Sequence, residues 1–249
     1  MNVPADLTPT LVGVLVLAAV TTVVLAAFRI PSMWAPVVAI LRGAVQLAVI
    51  SVILTGVITN PVWIAVALVV MFTIATSVAT GRIGWSTRGF ATMSTSIAVG
   101  VLIATTVVFA TGALELTPRY ALAIGAIVIG NAMSIATLTG RMFTTAIADH
   151  WDEVEGWLAL GATPRTSTLL LARRAVRDAL VPAIDQTKTT GLVVLPGAFV
   201  GAIFGGISPI EAGRFQIVVL AAIMAAGAIT SVLVATWMGP VRTKPAQPA

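Results

Sequence analysis

Polar side chains are scarce in this sequence, so each one inside an apolar run stands out. Arg42 and Gln46 lie four residues apart in the apolar stretch 36–58, which places both on one face of a helix. A charge surrounded by hydrocarbon pairs, faces a cavity or reaches back to the headgroups. An amide there lines a polar path or bonds to a neighbouring helix. Asn131 and Met133 fall in another apolar run, within Gly130-Asn131-Ala132-Met133-Ser134. Amide and thioether groups are weak ligands for a passing solute or a soft metal. Small residues beside an Asn also suit a helix-packing contact, and that is the preferred reading. Further on, Gly191-Leu192-Val193-Val194-Leu195-Pro196-Gly197 interrupts an apolar run. Pro196 has no N–H, so the carbonyl of Leu192 would lose its helical partner. Irregular backbone at membrane depth survives only where protein or a water-filled cavity satisfies it. A Gly/Pro-interrupted span is also a pointer to a transport site. Gly197, Gly201 and Gly205 then recur every four residues as a smooth ridge for helix packing.

Other chemistry is excluded or weak. Asp149, Asp152, Glu153 and Glu155 crowd His150, the single histidine. Carboxylates on several faces of a helix beside one histidine read as a solvated surface. The chain has no cysteine, which removes disulfides, thiolate ligands and a Cys nucleophile. Neither Gly-x-Ser-x-Gly nor His-Glu-x-x-His occurs. No catalytic residue and no cofactor is expected, and the identity of any metal site stays open.

Membrane-spanning helices must position these groups. Of the 249 residues, 58% are apolar and 9% charged, with mean hydropathy +1.05. Soluble domains carry about 25% charged residues. The composition therefore excludes a soluble enzyme, a disordered chain and a nucleic-acid-binding domain. A bilayer core needs about 20 apolar residues as helix. Seven spans are expected: 7–28, 36–58, 61–80, 93–114, 118–139, 190–207 and 210–237. The sequence predicts an all-α integral membrane protein formed by one transmembrane domain over 1–249, with the Pro-rich tail 240–249 disordered.

Charge sets the orientation. No basic residue precedes the first span, and Arg29 follows it, which favours a retained helix with the N-terminus outside. Arg29, Arg82, Arg88, Arg141, Arg165, Arg173, Arg174, Arg177, Lys188, Arg242 and Lys244 then fall inside. Arg119 and Arg214 fall outside. That asymmetry is the positive-inside pattern, and it puts the C-terminus in the cytoplasm of a multi-pass cell-membrane protein.

The longest polar stretch, 141–189, is expected to be cytoplasmic and helical. Gly161 breaks it, and Thr163 can cap a helix whose first residue is Pro164. Helical spacing resumes over 166–180. The apolar face Val154, Trp157, Leu158 and Leu160 suits the groove of a partner protein or the underside of the membrane helices. The stretch is too short for an ATPase, and the chain has no Gly-x-x-x-x-Gly-Lys-[Ser/Thr] loop.

The run Glu155…Leu158-Ala159-Leu160-Gly161-Ala162-Thr163-Pro164-Arg165 resembles the coupling segment of the FetB-like ABC-transporter permeases. These are bacterial proteins linked to iron export, with plant relatives linked to aluminium tolerance. Arg42 with Gln46-Leu47, Gly130-Asn131-Ala132-Met133, and Asp185…Lys188 leading into Gly191-Leu192-Val193 and Leu195-Pro196-Gly197 are similar to further family motifs. So are Gly206, Ser208-Pro209 and Gln216-Ile217. The resemblance covers most of the chain. It implies a permease homodimer, served by a separate ABC ATPase, that exports a metal ion or small solute by alternating access. It assigns ATPase coupling to Glu155, Leu158, Gly161, Ala162, Thr163, Pro164 and Arg165. It assigns the path to Arg42, Gln46, Asn131, Met133, Pro196, Gly197 and Gln216. Ala198 and Phe199 stand where the family commonly has methionines, and Ser134 where it often has Asn, so potential metal ligands are missing. Plant relatives are also associated with a sugar nucleotide. The rival readings are a secondary transporter or channel without an ATPase, and a membrane scaffold. The first needs titratable groups within the spans, and apart from Arg119, Glu211 and Arg214 near span ends the spans above contain one charged residue, Arg42.

Overall fold

The computed structural model describes residues 7–57 and 60–245. The chain is an all-α integral membrane protein. It divides into two compact units at residue 58.

The first unit is a pair of contacting helices, α1 (Leu7–Ala27) and α2 (Ala35–Val57). The α1 sequence carries Leu, Val and Ala all round, as a span in lipid requires. The helix ends in a Schellman turn: Ile30 N–H bonds to Leu25 O at 2.9 Å and Arg29 N–H to Ala26 O at 3.0 Å. Arg29 takes the left-handed position with φ 55°. Ile58, the last residue expected in the second span, lies outside the described residues.

The second unit begins with α3 (Pro61–Ile83), α4 (Thr87–Ala110) and α5 (Pro118–Asp149). It continues through α6 (Trp151–Ala159), α7 (Pro164–Ser167), α8 (Leu169–Thr189), α9 (Gly197–Phe204) and α10 (Pro209–Met238). One local rule starts many of these helices. Asn60, Thr117, Thr163 and Ser208 each cap the helix that follows, and each is followed by Pro at its first position. The cap accepts a backbone N–H that would otherwise be orphaned, and proline has no N–H to lose there. Ser86 caps α4 by accepting the N–H of Gly89 at 2.9 Å, so this helix starts ahead of its expected boundary at 93.

The core lies between α3, α4, α5 and α10, with Ala79, Ile97, Ile124, Val128, Ala136, Ala226 and Val234 fully buried. Close approach depends on missing side chains. A Cβ on Gly100 of α4 would stand 2.6 Å from the carbonyl of Ala226 on α10, and Thr230 Oγ1 donates to Ser96 O between the same helices at 3.2 Å. Several other buried hydroxyls bond to their own helix, as Thr80 does to Thr76 O and Thr139 to Ile135 O, both at 2.8 Å, while Ser96 Oγ has no partner. These bonds satisfy the paired hydroxyls without water.

Five described helices are long and apolar enough to cross a bilayer: α1, α3, α4, α5 and α10. The expected span 190–207 is not one helix. Residues 190–196 form a tight turn, in which Gly191 has φ 90° and its N–H bonds to Val194 O at 2.9 Å. Only 197–204 is helical, about 12 Å at 1.5 Å per residue, against a core about 30 Å thick. Pro196 therefore breaks no helix; it is the cap residue of α9. The expected polar stretch 141–189 is not a segment separate from the bundle. α5 continues to Asp149, and α8 lies along α5 and α10. The tail is ordered at its start, where Val241 packs against a small core formed by Phe143, Ile147, Val154, Leu171 and Ala175. Residues 246–249 lie outside the described part.

Candidate functional site

Two features of the second unit can do work: a capped turn at one end, and a polar helix alongside the bundle.

The turn is the α6–α7 corner. Val154 of α6 is 1% exposed, and Leu158 packs with it against Phe143, Ile147 and Leu171. Trp157 and Leu160 point outward, 49% and 82% exposed. The apolar face therefore divides: one side packs on the protein and the other is open. Gly161 has φ 88°, the left-handed geometry that favours glycine. Its N–H bonds to Leu158 O and that of Ala162 to Trp157 O, both at 3.0 Å, a Schellman stop. Thr163 accepts the N–H of Thr166 at 3.2 Å, and Pro164 starts α7, as the sequence predicts. Glu155 and Arg165 are exposed. Arg165, Thr168, Arg173, Val176, Val232 and Gly239 help line a cavity of about 300 Å³. The corner is fastened to the bundle where Thr168 Oγ1 donates to Gly239 O at 2.7 Å.

The polar helix is α8. Leu171, Ala175 and Ala179 are buried, and Ala183 packs on the main core. Arg174, Arg177, Val181, Asp185 and Lys188 are exposed and Asp178 is half-exposed. These recur at three- and four-residue steps and so form one stripe. Arg177 pairs with Asp178 at 3.1 Å and Lys188 with Asp185 at 3.5 Å. Pro182 lies in the helix, so the carbonyl of Asp178 has no helical donor.

The depth of the stripe follows from packing. Thr168 meets Gly239, and Leu180 meets Gly227. Both contacts advance twelve residues, so α8 and α10 are antiparallel and in step. Five residues further, Asp185 is level with Ala222. α10 carries no charge from Phe215 to Met238, so Asp185 lies beside the uncharged stretch of α10. A charge at the centre of a lone membrane helix costs about 2.5–3.5 kcal/mol. Asp185 and Lys188 would each meet that cost if they faced lipid.

The other expected residues divide. Arg42 and Gln46 are exposed on α2, in the first unit. Asn131 is half-buried, and its Nδ2 donates to Ile127 O of its own helix at 2.8 Å. Met133 packs on the main core. Gly130 and Ser134, one turn apart on α5, are exposed. α5 runs antiparallel to α8: Phe143 and Ile147 cluster with Leu171 and Ala175, and Ile135 meets Gly227 beside Leu180. Asn131 is therefore close to Asp185 in depth. Gly197 opens α9, and a Cβ on it would meet nothing within 4 Å. Gln216 is 6% exposed, and its Oε1 has no partner. Among the described residues no group of three or more His, Cys, Asp or Glu can hold a metal. The acidic patch beside His150 is a solvated surface, with Asp152, Glu153 and Glu155 exposed.

Sequence reasoning missed that the charged stripe of α8 runs alongside the bundle. The signal was present: 171, 175, 179 and 183 are apolar at helical spacing opposite the charges. The charge count outweighed it.

The fold is that of an all-α, multi-pass membrane protein. The chain belongs to the family described as Uncharacterised protein family (UPF0014), whose pattern matches residues 8–240. It is 37% identical to UPF0014 membrane protein STAR2 of Oryza sativa subsp. japonica over 78% of this chain and 69% of that protein. It is 36% identical to Protein ALUMINUM SENSITIVE 3 of Arabidopsis thaliana, over 77% and 71% respectively. Identity to the probable iron export permease protein FetB of Escherichia coli (strain K12) is 32%, over 59% of this chain and 56% of that one. No solved structure matches.

Proposed function

We propose that this chain is the permease subunit of an ATP-driven exporter in the cell membrane. Two copies bind two separate ATPase subunits, and the cargo is a small solute or a metal ion. The observation that carries this reading is the α6–α7 corner. It presents Glu155, Trp157 and Leu160 to solvent, yet it is fastened to the ends of α5, α8 and α10 through Val154, Leu158 and Thr168. A partner that grips the open side moves three membrane helices together. The similarity to an iron export permease supports export. We put the corner in the cytoplasm; the gathering of Arg82, Arg88, Arg141 and Arg165 at the corner's end of the bundle supports this, and the Lys/Arg asymmetry of the sequence favours an N-terminus outside.

Alternating access supplies the mechanism. ATP-driven approach of the two ATPases draws the docked corners together, and α5, α8 and α10 follow as levers. The missing thioethers at Ala198 and Phe199 leave oxygen ligands, so a hard cation or a hydroxylated solute suits this chain better than a soft metal.

A secondary transporter is the second reading, and a specific observation favours it. Asp185 and Lys188 on α8 are titratable groups beside the uncharged stretch of α10. Co-purification separates the two. Tagged protein is captured from detergent with the candidate ABC ATPase, comparing wild type with Gly161→Arg. Capture by wild type and loss in the variant supports the permease reading. A well-folded wild type that captures no ATPase moves the weight to the secondary transporter.

A further inference from the structure

We propose that the cavity between α7–α8 and α10 binds an anionic phospholipid of the leaflet at the corner's end of the bundle. Arg165 and Arg173 hold its phosphate, and Val176 and Val232 lie beside its acyl chain. The orientation proposed above makes this the cytoplasmic leaflet. The site itself requires a membrane-spanning bundle and no ATPase.

The cavity is graded from charged to apolar. Arg165, Thr168, Arg173 and Val176 line it from the α7–α8 side, and Val232 and Thr236 from α10. The antiparallel register of α8 and α10, set by Thr168 on Gly239 and Leu180 on Gly227, orders them along the bundle. Arg165 and Thr168 stand at the corner's end, Arg173 and Thr236 come next, and Val176 and Val232 lie further in. α10 has a gradient in the same direction. It is long and apolar enough to cross a bilayer and is uncharged from Phe215 to Met238, and Arg242 and Lys244 follow. Trp237, the neighbour of Thr236 in the chain, is 43% exposed, and tryptophan collects at the membrane–water interface. This order sets the two arginines at the headgroups and the two valines toward the hydrocarbon.

Charge complementarity selects the occupant. Among the described residues no carboxylate pairs with Arg165 or Arg173, whereas Arg177 and Lys188 of α8 have Asp178 and Asp185. A guanidinium grips phosphate oxygens through paired N–H groups, and basic pockets between membrane helices take anionic headgroups. A soluble anion would leave the apolar wall unused, where Val232 is 52% exposed. The volume of about 300 Å³ is at the lower bound for a small-molecule site, enough for a headgroup and the start of one chain. By contrast, the groove of about 700 Å³ between α3, α4 and α5 has no charged residue in its lining and distinguishes no headgroup. A lipid seated on Arg165 and Arg173 bridges the corner to the bundle beside the bond that already joins Thr168 to Gly239.

Native mass spectrometry of the purified full-length chain in a neutral detergent tests the site. Dioleoyl phosphatidylglycerol is titrated alongside dioleoyl phosphatidylcholine, which has the same chains but a choline cation that offsets the phosphate. Phosphatidylglycerol is expected to bind at least about tenfold more tightly. Arg165→Gln and Arg173→Gln are each expected to weaken it about fivefold. Arg177→Gln removes the same charge from α8 outside the cavity and is expected to leave the affinity unchanged. Equal affinity for the two lipids overturns the proposal. Equal losses in all three variants assign binding to net charge and overturn the cavity as the site. Displacement of the lipid by millimolar inorganic phosphate overturns the lipid as occupant and assigns the arginines to a soluble anion. No arm needs an ATPase, so failure to capture one leaves this result standing.

Discussion

Thr168 Oγ1 donates a buried 2.7 Å hydrogen bond to the carbonyl of Gly239, 71 residues away in the sequence. This bond ties the first residues of α8 to the end of α10, where a helix leaves carbonyls without partners. Thr168→Val keeps the shape and leaves that carbonyl with the N–H of Val241 as its remaining partner, at 2.8 Å. The expected loss is about 1 kcal/mol, read as a lower unfolding temperature in detergent. An unchanged temperature would remove the bond from the account of how the corner is anchored.

Gly100 and Gly43 are both helical, but they predict opposite outcomes. A Cβ at Gly100 would press on the backbone carbonyl of Ala226, which cannot rotate away, whereas at Gly43 nothing lies within 4 Å. Gly100→Ala is expected to destabilise by about 1–3 kcal/mol. Gly43→Ala is expected to be neutral or stabilising by up to about 1 kcal/mol. Paired thermal unfolding of the two variants checks the contrast, and equal shifts would count against the α4–α10 packing.

Leu160 separates docking from folding. It is 82% exposed at the end of α6, so Leu160→Asp should leave the unfolding temperature within error. ATPase capture is expected to fall at least tenfold. Normal capture with this variant would move the docking surface away from the corner.

Asn131 bonds to its own helix through Nδ2 and contributes little between helices. Asn131→Leu should therefore change stability by less than about 1 kcal/mol while transport falls. Loss of the assembled complex instead would show that the amide serves packing.

Gln216 is buried with an acceptor that has no partner. Gln216→Met keeps the volume and removes the unpaired oxygen. A gain of about 1 kcal/mol is expected, measured by thermal unfolding. A loss of stability would show that Oε1 is bonded in the assembled transporter.

Much of the local structure was legible. The Asn/Ser/Thr-Pro pairs marked helix starts because cap and proline both act within one turn. The stop at Gly161 and the cap at Thr163 were readable for the same reason. The α6 face was half legible: spacing put Val154, Trp157, Leu158 and Leu160 together, but only packing against Phe143 and Ile147 decided that Val154 and Leu158 turn inward. The span 190–207 misled because its hydropathy is high, and hydropathy does not report that Gly191 turns the chain back on Val194.

The sequence by itself determined that this is a helical membrane protein, where many of its helices begin, and that a glycine-stopped, proline-started corner lies at 155–165. Those are consequences of composition and of contacts within a few residues. Only the tertiary structure decided that α8 packs alongside α5 and α10. A stripe of charges reads as a surface exposed to water until its opposite face is found. Here that face, Leu171, Ala175, Ala179 and Ala183, is packed against α5 and α10, and contacts between residues so far apart in the chain leave no local mark.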